Sequence, residues 1–263
     1  DTLRRKVAEG RTGHAYLFTG TRGTGKTTCA RILAKAINCL HPVDGAPCNQ
    51  CEACRGIDEG RLLDITELDA ASNNGVDSVR ALREEAVYTP SVLKKRVYII
   101  DEVHMLSTPA FNALLKILEE PPEHLVFILA TTELHKVPAT ILSRCQRYSF
   151  KRILPRDIAR QLRYIAGEEQ IDLTPDGADI LARMAGGAMR DALSLLDQCR
   201  SFEGTLSASA ILNLLGLAGG VQTARLMELL LKRDAREALL LLDQLYRDGK
   251  DIAALLRELS DLC

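Results

Sequence analysis

The sequence has no tryptophan and only 4% aromatic residues, which disfavours binding of splayed single-stranded bases by stacking. No uninterrupted apolar run approaches the roughly 18 to 20 residues of a membrane helix, and the opening DTLRRKVAEG has no apolar stretch of the signal-peptide kind. A soluble cytoplasmic protein with no membrane partner is expected. Net charge is also missing: 34 Lys and Arg stand against 35 Asp and Glu. Any contact with nucleic acid must therefore come from a local patch. There is no internal repeat and no low-complexity linker. What is present is apolar content, 46% of 263 residues, enough for one large domain or two to three small ones.

Two textures divide the chain. Up to about Phe150, short β-branched runs (AYLFTG, LLDITELDA, RVYIIDE, LVFILATT, QRYSF) alternate with helix-like stretches, the pattern of βα units around a buried parallel sheet. Beyond Pro155 the strands stop and helical periodicity takes over, with Thr174 as N-cap and Pro175 at the first helical position of one helix. A Gly-rich break, GLAGG at 216–220, precedes further Leu-rich helices, and the last pattern breaks off at Cys263. A third helical domain, left incomplete, is the expectation.

Gly20-Thr21-Arg22-Gly23-Thr24-Gly25-Lys26-Thr27 fits G-x-x-x-x-G-K-[ST], follows the strand AYLFT and opens the helix TTCARILAKAIN. Glycines let the backbone curl so that N–H groups point at phosphate oxygens, the helix N-terminus adds its positive end, Lys26 supplies a point charge, and Thr27 offers a hydroxyl to Mg²⁺. Gly20, Gly23, Gly25, Lys26, Thr27 and Thr28 are the phosphate-binding candidates. The strand RVYIID ends in Asp101 followed by Glu102, two carboxylates where parallel sheets bind ligands. Asp101 suits the Mg²⁺ shell and Glu102 the polarisation of an attacking water; an exposed acidic strand end is the alternative. LVFILATT ends in Thr131 and Thr132, hydroxyls that could reach a terminal phosphate or the lytic water, although Thr is common at strand ends.

The eight cysteines are unevenly spread. Cys29, Cys145, Cys199 and Cys263 stand singly in apolar patterns, which reads as reduced thiols. Cys39, Cys48, Cys51 and Cys54 crowd one Pro- and Gly-containing loop with metal-ligand spacing. Four thiolates saturate a tetrahedral Zn²⁺, so the site is structural, and the loop has too few apolar residues to fold without it. An iron–sulfur cluster remains an alternative, with a spacing unlike the common ferredoxin runs. His41 lies inside the cluster and is expected to be exposed, because the four sulfurs already complete the shell.

The order GTRGTGKTT, the cysteine cluster, LDAASNNGVDSVR, VYIIDEVHMLS, FNALLKILEEPP, LATTE, ILSRCQRYSF and GGAMRDALSLLDQ closely resembles the gamma/tau subunits of bacterial DNA polymerase III. These are the AAA+ ATPase motors of the sliding-clamp loader. The resemblance implies an α/β AAA+ P-loop domain over residues 1–152 with a zinc-binding insertion at 39–54. A helical lid at 153–217 and an incomplete helical collar at 218–263 follow, and the chain is truncated at both ends. The family's earlier segment, which wraps the adenine, falls outside it.

The resemblance further implies ATP, Mg²⁺ and Zn²⁺ as cofactors, and a pentameric ring with ATP at subunit interfaces. Lys26 and Thr27 match the phosphate loop, Asp101 and Glu102 the Mg²⁺ and water-activating pair, and Thr132 the first sensor. Arg144 in SRC matches the finger that enters the neighbouring site, and Arg190 in GAMRD the second sensor. Taken without the family, Arg144 reads as a solvated surface residue and Arg190 as a salt-bridging neighbour of Asp191. Helices after LDAASNN and HMLS would track the duplex backbone, which places Asn74, Ser78, Arg80 and Thr108 near DNA phosphates without sequence readout; a solvated face is the alternative. Expected partners are the other loader subunits, the sliding clamp, primer–template DNA and, through regions outside this chain, the polymerase core. Two competing functions stay open, a catalytically silent AAA+ scaffold and another AAA+ DNA motor such as a branch-migration helicase. Lys26 and Glu102 argue against the first, and the cysteine insertion against the second.

Overall fold

The protein is described from a computed structural model that places residues 2–202, 204–215, 220–249 and 251–261. It divides into two compact units, 1–152 and 153–263. Leu217, Ala218 and Cys263, on which parts of the sequence reading fall, lie outside the described residues.

In the first unit the order is α1 (Thr2–Ala8), β1 (Ala15–Gly20), α2 (Lys26–Asn38), α3 (Glu52–Asp58), β2 (Ile65–Asp69), α4 (Val76–Ala86), β3 (Arg96–Asp101), α5 (Thr108–Glu119), β4 (Leu125–Thr131), α6 (Ala139–Leu142) and β5 (Gln146–Phe150). The strands form one sheet in the order β2-β3-β4-β1-β5, with every pairing parallel. All five strand-like runs of the sequence are therefore strands of a single α/β sheet.

Alternate residues point to opposite faces of a strand, and the sheet uses both. Leu17, Tyr98, Ile100, Phe127 and Leu129 face α4 and α5, in one core with Val79, Leu82, Phe111 and Leu114. Tyr16, Phe18, Val97, Ile99, Val126 and Ile128 face the other way, onto Ala30, Leu33 and Ala34 of α2 and Leu3 and Val7 of α1. Burial on both faces is why these strands read as continuous apolar runs with no polar alternation. Across β3 and β4, Tyr98 is in register with Phe127 and their rings stack with centroids 5.6 Å apart.

The topology sets up the site. β4 lies between β1 and β3, so the loop after β1, the carboxylates after β3 and the threonines ending β4 open side by side at one edge.

The second unit is helical: α7 (Pro155–Glu168), α8 (Pro175–Met184), α9 (Met189–Cys199), α10 (Ala208–Leu214), α11 (Gly220–Leu231), α12 (Ala235–Arg247) and α13 (Ile252–Asp261). Thr174 caps α8, its hydroxyl accepting from the Gly177 N–H at 3.2 Å with Pro175 in the first turn. Two apolar clusters form here, one around Ile158, Leu162, Leu181 and Leu196 and one around Leu226, Leu245, Leu255 and Leu259. Among the described residues no helix is long and apolar enough to cross a membrane.

Candidate nucleotide-binding site and cysteine cluster

The loop from Gly20 to Gly25 turns through glycines. Gly20, Gly23 and Gly25 have φ of 147°, 75° and 90°, and Gly25 is the left-handed N-cap of α2. A side chain is strained at such a φ. Without one the backbone can curl over the helix N-terminus, whose first N–H groups lack intrahelical partners and attract anions. Lys26 folds back over this loop, its Nζ donating to the Gly20 and Thr21 carbonyls at 3.0 Å each, and it is 6% exposed. Burial pulls its ammonium below the ordinary pKa, while the carboxylates of Glu102 and Asp101 act in the opposite sense. The Thr27 hydroxyl lies 2.5 Å from Oδ2 of Asp101. One small oxygen-seeking cation could take both oxygens, which is the donor chemistry of Mg²⁺. Thr28 is exposed at the helix start.

Glu102, directly after β3, has φ +46°. For a residue with a side chain this is a strained conformation, costing on the order of 1 kcal/mol and typical of functional turns. It ends the strand and turns the carboxylate toward β4. There Oε2 of Glu102 accepts from the Thr132 N–H at 3.1 Å and from its hydroxyl at 2.9 Å. Thr131 is fully buried. A residue missed from the sequence joins them: the His104 ring has Nδ1 3.0 Å from the Thr131 hydroxyl and 3.3 Å from Glu102 Oε2, and its side chain is 5% exposed. Its only sequence signal is its place two residues beyond Glu102.

Lys26, Thr27, Asp101, Glu102 and Thr132 therefore converge. The other candidates are placed elsewhere. Arg144, in the turn after α6, pairs with Glu119 at 2.7 Å and donates to the Thr140 carbonyl. Arg190 is exposed at the start of α9, in the second unit. Asn74 and Thr108 are exposed and Ser78 half-buried, and Arg80 pairs with Asp77 at 3.3 Å. The starts of α4 and α5 are tied together by the Ser107 N–H donating to the Asn74 carbonyl at 3.1 Å. Between them runs a groove of about 380 Å³ that carries Arg80, Arg83 and Lys116. It is a local basic patch on a chain of nearly balanced charge; Arg83 and Lys116 were not singled out in the sequence.

The cysteine cluster grows from the far end of the phosphate-loop helix, with Cys39 as the C-cap of α2. The four Sγ atoms of Cys39, Cys48, Cys51 and Cys54 lie within 4.8 Å of one another, and Cys39 and Cys51 are 3.9 Å apart. Four sulfurs about 2.3 Å from a common ion would be about 3.8 Å apart, so the set is compatible with a tetrahedral metal. Backbone N–H groups of Cys48, Cys51 and Cys54 donate to the sulfurs of Cys39, Cys48 and Cys51 at 3.3, 3.3 and 3.4 Å. Burial opposes ionisation of Cys51, but backbone donors at Leu40 and Cys54 and the neighbouring thiols outweigh it and bring it to about 6. His41 is exposed. At the loop tip Gly45 has φ +72°, and a Cβ there would overlap the Arg4 carbonyl oxygen; the loop is braced against α1.

A parallel sheet with a glycine loop, a buried lysine, and a strand-end Asp-Glu pair beside a threonine-ended strand defines a nucleotide-binding P-loop domain of the AAA+ class. The Thermotoga maritima RuvB Holliday junction branch migration motor shares the fold, with a TM-score of 0.60 over 86% of this chain and 71% of that one, at 16% identity. Residues 1–153 match the family described as DNA polymerase III, delta subunit; 157–202 match the clamp loader subunit ATPase lid domain; and 206–263 match domain III of subunits gamma and tau. Bacillus subtilis DNA polymerase III subunit tau is 50% identical over 98% of this chain and 46% of its own length. The Escherichia coli subunit tau is 45% identical over 99% and 41%. Buchnera aphidicola (from Acyrthosiphon pisum) subunit gamma is 41% identical over 95% and 70%. The chain belongs to the gamma/tau subunit family of DNA polymerase III. It spans less than half the length of the two tau relatives.

Proposed function

We propose that the chain is the ATP-hydrolysing motor part of a clamp-loader subunit. ATP binding would organise a ring that holds the sliding clamp open, and hydrolysis, triggered by primer–template DNA, would release the clamp closed on DNA. The observation that carries this is the convergence of Lys26, Thr27, Asp101 and Glu102 at the ends of β1 and β3. A scaffold without catalysis would have no need of a strained glutamate facing a buried lysine.

In this reading the loop N–H groups and Lys26 hold the phosphates, and Thr27 and Asp101 hold Mg²⁺, which neutralises phosphate charge when bound. Glu102 orients the attacking water and takes its proton, with Thr132 beside it as the first sensor. Arg144 would leave Glu119 to reach a neighbouring subunit's γ-phosphate, a contribution of about 10³ to 10⁵ in rate for such a guanidinium. Arg190 would report the nucleotide from the lid. Asn74, Ser78, Arg80 and Thr108 would meet DNA phosphates, and the groove with Arg83 and Lys116 extends the same positive surface. Cys39, Cys48, Cys51 and Cys54 would hold a structural Zn²⁺. The proposed setting is the bacterial cytoplasm, in a ring of loader subunits.

The test is steady-state ATP hydrolysis by the chain alone and then with partner subunits, clamp and primer–template DNA, comparing native protein with Glu102→Gln. Stimulation that is lost in the variant supports the motor. Hydrolysis that persists unchanged in the variant removes Glu102 from the chemistry.

A further inference from the structure

We propose that His104 is a positioning residue for hydrolysis, one that holds the Glu102 carboxylate in the orientation needed to meet the lytic water. The proposal rests on the reading of Glu102 given above. Three features lead to it. The His104 side chain is 5% exposed, and both ring nitrogens face polar groups. Nδ1 is 3.0 Å from the Thr131 hydroxyl and 3.3 Å from Glu102 Oε2, while Nε2 is 3.3 Å from Glu133 Oε1. The ring thus bridges the loop after β3 to the end of β4.

Glu102 needs such a bridge. A glutamate side chain has several rotatable bonds, and after a backbone turn at φ +46° no strand neighbour fixes it. Oε2 receives the Thr132 N–H and hydroxyl and lies beside Nδ1 of His104. Oε1 has no hydrogen-bond partner among the described residues and is the oxygen available to water. Donors gathered on one oxygen fix the aim of the other. The imidazole also carries this orientation back into the core: the Thr131 hydroxyl accepts the Glu133 N–H at 3.1 Å, so the turn after β4 and the ring hold each other. Misplacing a reacting group by about 1 Å can cost on the order of 100-fold in rate. An alanine at 104 would remove the imidazole that Thr131 holds beside Oε2, leaving the Glu102 carboxylate with only its two bonds from Thr132.

The experiment uses the chain assembled with its partner subunits, clamp and primer–template DNA. It compares native protein, His104→Ala, His104→Asn, His104→Gln and Glu102→Gln for kcat, KM for ATP and melting temperature. An Asn amide reaches the position of Nδ1, whereas a Gln amide reaches that of Nε2. The expected result is a kcat about 10- to 100-fold lower for His104→Ala with KM changed by less than about 3-fold, and substantial rescue by Asn but not by Gln. Should the alanine variant fail to fold, the order of Asn and Gln decides. Gln equal to or better than Asn overturns the proposal, as does a His104→Ala kcat within 2-fold of native. The two readings fail differently: Glu102→Gln at the native rate defeats the assignment of Glu102, and a dead Glu102→Gln beside a fully active His104→Ala defeats only the role of His104.

Discussion

The nucleotide cradle and the cysteine cluster sit at the two ends of the same helix, α2, and are built on opposite principles. Lys26 opens the helix and Cys39 caps its end. The cluster draws all four sulfurs from residues 39–54, and little of that loop is apolar, so in the proposed reading a bound zinc would supply most of its folding energy. The cradle draws Lys26, Asp101 and Thr132 from three separate stretches of chain, and the buried sheet holds them together. A site closed by local chain would be fragile to loss of a bound ion, whereas a site closed by a sheet is fragile chiefly to changes in the reacting groups themselves.

That contrast predicts separable damage. The largest effect should come from removing the ion: Cys48→Ser with Cys51→Ser should lower bound zinc from one per chain to none, measured by metal analysis of purified protein. Protease cutting within 39–54 should rise with it, because a structural zinc supplies on the order of 10 kcal/mol of local folding energy. The sheet should survive. Full secondary structure loss on zinc removal would mean that the two sites are not independent.

Next in size, Lys26→Ala should lower ATP hydrolysis by at least about 100-fold, the scale of losing one charge-stabilising group in the transition state, with zinc content and melting temperature held. A melting temperature that fell with activity would show Lys26 to be structural.

A third carboxylate provides an internal control at the other end of the sheet. Asp64, just before β2, is 2% exposed in its side chain and accepts the N–H groups of Ser91, Val92 and Leu93 at 2.9, 2.8 and 3.0 Å, with Arg96 at 3.5 Å. Burial raises its pKa, but the three N–H donors and Arg96 outweigh this, and the folded-state value is lowered. Its contribution is therefore present above the unfolded value of about 3.9 and is lost as pH falls through the lower folded value. Asp64→Ala should cost about 3 kcal/mol at neutral pH, read by denaturant unfolding, and the penalty should shrink in that acid range. Activity per folded molecule should not change. Asp101 and Glu102 are expected to behave in the reverse way, with activity lost and stability kept.

The smallest effect lies at the brace between cluster and helix. Gly45→Val would place a Cβ against the Arg4 carbonyl oxygen at a φ of +72° and should cost about 1 to 3 kcal/mol. Amide exchange should quicken in residues 2–9 and stay unchanged in α5. Equal quickening in both would put the strain in the sheet and not at the brace.

Much of this was legible in the sequence because the signals are local. The phosphate loop carries its strand, glycines and helix in one run, the cysteines carry their spacing, and the doubly buried strands announce themselves as unbroken apolar stretches. The roles proposed for Arg144 and Arg190 rest on family resemblance alone. In the structure Arg144 pairs with Glu119 and Arg190 is exposed in the second unit, placements that any surface arginine could have. Arg83 and Lys116 were missed because a basic groove is a property of two packed helices and not of either helix alone.

The sequence by itself determined the class of fold, the phosphate loop, the acidic strand end and the grouping of four cysteines in one loop, because each depends on neighbours a few residues apart. Only the tertiary structure decided what Glu102 touches. Threading β4 between β1 and β3 brings Thr131, Thr132 and Glu133 beside Glu102 and His104, some thirty residues earlier in the chain. Sheet order is fixed by which apolar faces can be buried together, a balance summed over the whole domain that no short stretch of sequence displays.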